Sequence, residues 1–161
     1  STFGLTQMIR DTIGRYARMT GIDGYQIHFE SDQEVSVQAD EMKISQVLYN
    51  LINNAINYTG PDKSVTVRQT VEDGWVKIEV IDTGEGIPAD KLPYVWERYY
   101  KLDKTHKRAA VGTGLGLSIV KNVLELHQAR YGVNSTVGQG SVFWFALPIV
   151  PQEEPPLLPE K

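Results

Sequence analysis

One segment, residues 41–58, carries a high density of carboxamides. Its apolar residues Ile44, Val47, Leu48, Leu51, Ile52, Ala55 and Ile56 recur at helical spacing. At a rotation of about 100° per residue, Gln46, Asn50, Asn53, Asn54 and Asn57 fall together on the opposite side, and Lys43 points the same way. Asparagine is a poor helix former because its side chain competes for backbone hydrogen bonds. Four of them on one face cost helix stability, which argues for a second role. A carboxamide oxygen is a hard ligand of the kind Mg²⁺ accepts, and that ion keeps some waters and takes phosphate oxygens from a bound molecule. An ordinary solvated helix face accounts for the same stripe.

Glycine-bearing segments could serve the same ligand. Asp82-Thr-Gly84-Glu-Gly86-Ile87 follows an alternating, strand-like run. Glycine lets the backbone pass close to a planar ligand, and a carboxylate at a strand end can accept from an exocyclic amine such as adenine N6. A simple Asp-x-Gly turn with an Asx cap has the same residues. Gly112-Thr-Gly114-Leu-Gly116-Leu117 opens another apolar-periodic helix, over residues 115–127. Free N–H groups and the dipole at a helix start favour an anion such as phosphate; a lid hinge is the alternative. The segment is neither G-x-x-x-x-G-K-[ST] nor G-x-G-x-x-G, and a polar loop precedes it where a dinucleotide fold needs a strand. Gly138-Gln-Gly140-Ser141 reads on its own as a tight hairpin turn.

The chain that must position these residues is 161 long, 41% hydrophobic and 22% charged, enough for one self-supporting core. It has no cysteine, which excludes disulfides, thiolate metal sites and cysteine nucleophiles. Its net charge is −4, half of it in the stretch from Pro151 onward. The nearly neutral body lacks the basic face that nucleic acid requires. The longest apolar run, residues 143–150, falls far short of the roughly 20 residues of a membrane span. With no signal peptide in view, Asn57-Tyr-Thr and Asn134-Ser-Thr read as chance glycosylation triplets.

Periodicity predicts a helix over 5–20, strands over 25–30 and 35–38, and the helix over 41–58 with Asp40 as N-cap. A hairpin follows, over 64–71 and 75–81 around Asp73-Gly74. Then come a short helical piece near 89–95, a polar loop over 101–113 of a length that is usually functional, the helix over 115–127, and a last hairpin over 130–137 and 141–147. The Pro- and Glu-rich stretch after Pro148 cannot bury enough surface to order itself. The expected organisation is a domain over 1–148 and a tail over 149–161. The order predicts an α/β (α+β) sandwich: a mixed, largely antiparallel sheet of about five strands with three helices packed on one face.

Taken in order, these segments resemble the catalytic ATP-binding domain of bacterial two-component sensor histidine kinases, which has the Bergerat, or GHKL, ATPase fold shared with type II topoisomerases, large heat-shock chaperones and mismatch-repair ATPases. Gln46-Val-Leu-Tyr-Asn50-Leu-Ile-Asn-Asn54-Ala resembles the N box and Asp82-Thr-Gly-Glu-Gly86 the G1 box. Val95-Trp-Glu-Arg-Tyr99-Tyr100-Lys101 resembles the F box, residues 112–117 the G2 box, and Gly138-Gln-Gly140-Ser141 the last glycine turn. The resemblance spans residues 5–148 and implies ATP and Mg²⁺ as ligands. It implies that Asn54 ligates the metal through its side-chain oxygen and that Asn50 supports it. Asp82 would recognise adenine, Gly84, Gly86 and Ile87 would shape the base pocket, and Tyr58, Tyr99 and Tyr100 would contact the nucleotide. Residues 101–111 would form the ATP lid, with Lys101 and Arg108 as catalytic cations beside Asn50. Gly112, Thr113, Gly114, Leu115, Gly116 and Leu117 would lie along the phosphates.

Asn50 also separates branches of the resemblance. The topoisomerase and chaperone branches carry a glutamate there that activates water; a carboxylate can act as general base and an amide cannot. Asn50 therefore favours phosphoryl transfer to another protein group over hydrolysis. Asn57 stands where many kinases have a lysine, and Lys101 where an arginine often reaches the γ-phosphate. An ammonium there keeps the charge and loses the bidentate fork. Trp96 and Tyr99 replace the usual phenylalanines, and His127-Gln-Ala a common His-Gly-Gly.

The family phosphorylates a histidine on an upstream helical-hairpin domain, and none of His28, His106 and His127 fits that motif. The chain thus reads as a monomeric fragment of a homodimeric parent, which would supply the phosphoacceptor and meet a response regulator. The resemblance further implies a cytoplasmic domain of a membrane-anchored protein. A related anti-sigma-factor serine kinase and a non-catalytic nucleotide-sensing module are the other functions that the residues allow.

Overall fold

The computed structural model describes residues 1–20, 24–97 and 116–151. β1 (Thr2–Gly4) runs directly into α1 (Leu5–Thr20), and β2 (Gln26–Glu30) and β3 (Ser36–Gln38) precede α2 (Glu41–Tyr58). β4 (Ser64–Glu72) and β5 (Trp75–Asp82) form a hairpin, and a 3-10 turn (Leu92–Tyr94) follows. α3 (Gly116–Leu126), β6 (Arg130–Ser135) and β7 (Ser141–Pro148) complete the order.

The main sheet has five strands in the order β2-β4-β5-β7-β6. Among the described residues only β2 and β4 pair in parallel; the other neighbours are antiparallel. Parallel neighbours require a crossover connection, and α2 lies within this one. Its C-terminus therefore returns to the start of β4, next to the end of β5, because Val65 is in register with Asp82. The β4–β5 hairpin closes on Asp73 and Gly74, whose φ values are +53° and +80°, the left-handed pair that matches strand twist in a two-residue loop.

Period-2 alternation gives the sheet one apolar face: Val65 and Val67, Val76, Ile78 and Val80, and Phe143, Phe145 and Leu147 are all buried. Onto it α2 turns Ile44, Val47, Leu48, Leu51, Ile52 and Ala55, and α3 adds Val120, Val123 and Leu124. On the other face charged stems lie over indoles: Lys77 Nζ sits 4.6 Å from the Trp144 ring centre, and the Arg130 guanidinium 3.8 Å from that of Trp75. Asp40 caps α2 as predicted, its Oδ1 accepting from Lys43 N at 3.2 Å. His127 is structural: its Nδ1 lies 2.8 Å from Val123 O, and its Nε2 accepts the Asp40 N–H at 3.1 Å.

The expected elements recur with ends shifted by one or two residues. The piece expected over 89–95 is a 3-10 turn of three residues. β1 is unforeseen; it pairs antiparallel with β3 in a separate two-stranded sheet, and three residues are too few to display alternation. Backbone pairing continues past Pro148, with Ile149 N donating to Gly74 O and Val150 N to Ser36 O.

Candidate functional site

Strand parity places the central carboxylate. Val76, Ile78, Val80 and Asp82 share the buried side of β5, so Asp82 ends the strand only 3% exposed. Its Oδ1 accepts the Gly84 N–H at 2.8 Å. Burial raises its pKa above the ordinary carboxylate value, and N–H donation from the Gly84 and Ser141 backbones only partly offsets that effect.

Around Asp82 opens a cleft of about 600 Å³, within the range of small-molecule sites. The last turn of α2 supplies Asn57 and Tyr58, the following loop forms a rim, and the loop after β5 supplies a floor from Asp82 to Ile87. Gly138 and Ser141 close it from the β6–β7 turn.

The floor is pinned on both sides. Toward α2, Thr83 Oγ1 donates to Asp62 Oδ1 at 2.6 Å and Thr83 N to Thr59 Oγ1 at 3.2 Å. Toward β6, Ser135 Oγ accepts from Ile87 N at 2.7 Å and donates to Gly140 O at 2.9 Å, while Gly138 N donates to Glu85 O at 2.7 Å. Three glycines of the floor and the β6–β7 turn are obligatory, among them Gly86, at φ +77°, where a Cβ would overlap the Thr136 carbonyl oxygen. A Cβ on Gly84 would overlap the Tyr58 carbonyl oxygen, and one on Gly140, at φ +80°, would overlap the Asp82 carbonyl oxygen. These glycines shape the cleft by letting protein backbones meet.

The predicted residues divide into groups. Tyr58, Asp82, Gly84, Gly86 and Ile87 line the cleft together. Asn50 and Asn54 stand two turns and one turn before Tyr58 on the same side of α2; both are half-buried, outside the described lining. Gly116 and Leu117 open α3, also outside that lining. Tyr99, Tyr100, Lys101, Arg108, Gly112, Thr113, Gly114 and Leu115 lie outside the described residues.

The amide stripe does not act as a unit. Tyr16 donates its phenol proton toward Asn53 Oδ1, 2.7 Å away, so Asn53 ties α1 to α2. Burial raises the Tyr16 pKa well above its ordinary value, which keeps the donor protonated. Asn54 is different: its Nδ2 is buried without a partner among the described residues. An unpaired buried amide costs about 1–3 kcal/mol, a cost that a ligand engaging the group can offset. Among the described residues no three His, Cys, Asp or Glu side chains gather as a metal cage. Mg²⁺ does not need one, since it accepts amide oxygens, water and phosphate. The donor set on α2 fits it.

Thr59, Asp62, Tyr25 and Lys63 belong to this region and carried no signal in the sequence, and Thr83 was read only as the residue between Asp82 and Gly84. Asp62 and Thr83 are separated by 21 positions, and only the close approach of two loops makes them partners.

Comparison with known proteins agrees with the geometry. Residues 39–151 match the family described as histidine kinase-, DNA gyrase B-, and HSP90-like ATPase. The chain is 38% identical over 118 residues to the sensor protein kinase WalK of Staphylococcus saprophyticus, covering 72% of this chain and 19% of WalK. It thus spans about a fifth of the length of that curated relative. The nucleotide-free catalytic domain of the histidine kinase ThkA superposes with a TM-score of 0.79 at 28% identity, over 92% of this chain and 94% of that one. ThkA in complex with the response regulator TrrA gives a TM-score of 0.76 at 25% identity, over 96% of this chain and 43% of that one. The mixed five-stranded sheet is thus a shared fold, and the chain belongs to the histidine kinase-, DNA gyrase B-, and HSP90-like ATPase family as an ATP-binding domain of the histidine-kinase type.

Proposed function

We propose that this domain binds ATP with Mg²⁺ and presents the γ-phosphoryl group to a histidine on a separate dimerisation and phosphoacceptor domain of a longer, homodimeric and membrane-anchored sensor kinase. The observation that carries this reading is the pairing of a buried Asp82 in the cleft with an amide, Asn50, on the neighbouring helix face. Asp82 accepts the adenine N6–H, while the glycine-shaped floor and Tyr58 bound the base. Asn54, supported by Asn50, holds Mg²⁺ through its carboxamide oxygen. When bound there, that ion would supply positive charge to the phosphate oxygens.

The transfer breaks the bond from the γ-phosphorus to the β,γ-bridging oxygen and forms one to a nitrogen of the acceptor histidine, leaving ADP. The amide of Asn50 cannot deprotonate water, so the γ-phosphoryl group waits for the incoming imidazole. Lys101, Arg108 and residues 112–117 are assigned to the phosphates, with Tyr99 and Tyr100 beside the nucleotide. ThkA, a histidine kinase, is found with a response regulator; the phosphohistidine of the longer protein would pass its group to such a partner. Among the described residues no helix is long and apolar enough to cross a membrane.

The test mixes this chain with a separately produced phosphoacceptor hairpin and γ-labelled ATP. The expected product is label on histidine, lost in acid and retained in base. Acid-stable phosphoserine on a partner would transfer the chain to the anti-sigma-factor kinases. Binding of ATP without transfer to any partner would make it a nucleotide-sensing module.

A further inference from the structure

The loops on either side of the cleft are joined by a closed ring of hydrogen bonds. Thr83 donates its hydroxyl to Asp62 Oδ1 at 2.6 Å, and Ser64 N donates to the same oxygen at 3.2 Å. Thr59 donates its hydroxyl to Ser64 O at 2.7 Å and accepts the Thr83 N–H at 3.2 Å. Each hydroxyl proton is used once, so the two threonines are satisfied together. The short hydroxyl–carboxylate contact is of the charge-assisted kind.

The ring sits where it can govern recognition. Thr59 follows Tyr58, the wall of the cleft, and Thr83 lies between Asp82 and Gly84, whose N–H holds the Asp82 carboxylate. Both threonines line the cleft themselves. Asp62 is exposed, so the ring adds little to the core and acts on the spacing of the loops.

We propose that Thr83 is a positioning residue for nucleotide recognition: held by Asp62 and Thr59, it sets the separation between the Tyr58 wall and the Asp82 floor. This rests on the nucleotide-cleft reading above. Thr59 and Asp62 act with it, and none of the three needs to touch the base.

Calorimetry of the 161-residue chain with ADP and Mg²⁺ tests it, with the melting temperature of each variant measured alongside. Absence of heat with the unaltered chain would sink the nucleotide reading itself. Given binding by that chain, Thr83→Val, which keeps the shape and removes the hydroxyl, is expected to weaken ADP roughly tenfold. Thr83→Ser restores the hydroxyl and binds within about twofold of the unaltered chain. Asp62→Ala gives the same loss as Thr83→Val, and the double variant loses no more than either single one, as members of one network do. Because Asp62 is exposed, its variant keeps the test sharp should Thr83→Val fold poorly. Parent-like binding by Thr83→Val or by Asp62→Ala, equal losses in Thr83→Ser and Thr83→Val, or additive losses in the double variant would overturn the proposal.

Discussion

Replacing Asp82 by asparagine should move stability and nucleotide binding in opposite directions. The carboxylate is 3% exposed, and its Oδ1 is occupied by the Gly84 N–H at 2.8 Å. The Gly84 and Ser141 N–H groups both donate to this carboxylate, so an asparagine must keep its oxygen toward them, and its NH₂ takes the acceptor position left for a ligand. A donor then faces the adenine N6–H, itself a donor. The loss is one charge-assisted hydrogen bond, about 1.5–3 kcal/mol, which is roughly a 10- to 150-fold weaker Kd.

Stability follows the raised pKa of the carboxyl. A folded value above the ordinary 3.8 means the folded chain holds the proton more tightly than the unfolded one. The stability due to this group is present below the ordinary value and is lost as pH rises through the raised one. At pH 7 the buried charge is a cost that asparagine removes. The variant should melt at or above the parent temperature at pH 7, and its advantage should vanish as the pH falls below the ordinary carboxylate value. Calorimetric titration with ADP and scanning calorimetry over pH read both quantities. Parent-like affinity for ADP, or a melting temperature well below the parent at pH 7, would refute the reasoning.

The remaining expectations concern the helix face and the turns. Asn54→Ala removes the orphaned Nδ2; it should leave the melting temperature no lower while abolishing the Mg²⁺-dependent part of ADP affinity, read by titrating with and without the metal. Tyr16→Phe or Asn53→Ala should each cost about 1 kcal/mol of stability in urea unfolding, with ADP affinity unchanged, because their 2.7 Å bond joins α1 to α2 outside the cleft. Gly84→Ala should lose both stability and nucleotide, since its Cβ meets the Tyr58 carbonyl. Gly74→Ala, with φ +80° and open space around it, should cost only about 1 kcal/mol of unfolding free energy and bind ADP normally.

Much of this fold was legible because its signals are local. The apolar period from Ile44 to Ala55, the Asp40 cap and the Asp73-Gly74 turn each depend on neighbours within a few residues, and each appears as read. Asp82 was legible too, since alternation along β5 gives it the parity of Val76, Ile78 and Val80. β1 was not, because three residues find their reason only in β3, more than thirty positions away. The amide stripe was legible as a stripe but not in its division of labour. Nothing near Asn53 in sequence announces Tyr16, 37 positions earlier, as its partner.

The sequence by itself determined where along the chain the carboxamide face, the strand-ending aspartate and the glycines that follow it stand. Composition and short-range periodicity suffice for that, since side-chain type and helical or strand phase are properties of the local chain. Tertiary structure alone decided that Gly84 exists to admit the Tyr58 carbonyl, that Thr59, Asp62, Ser64 and Thr83 close one ring, and that Asn54 is left unpaired where Asn53 is satisfied. Those facts arise where loops from distant parts of the chain come within hydrogen-bonding distance. That proximity is set by the crossover of α2 over the sheet, which no local window of residues contains.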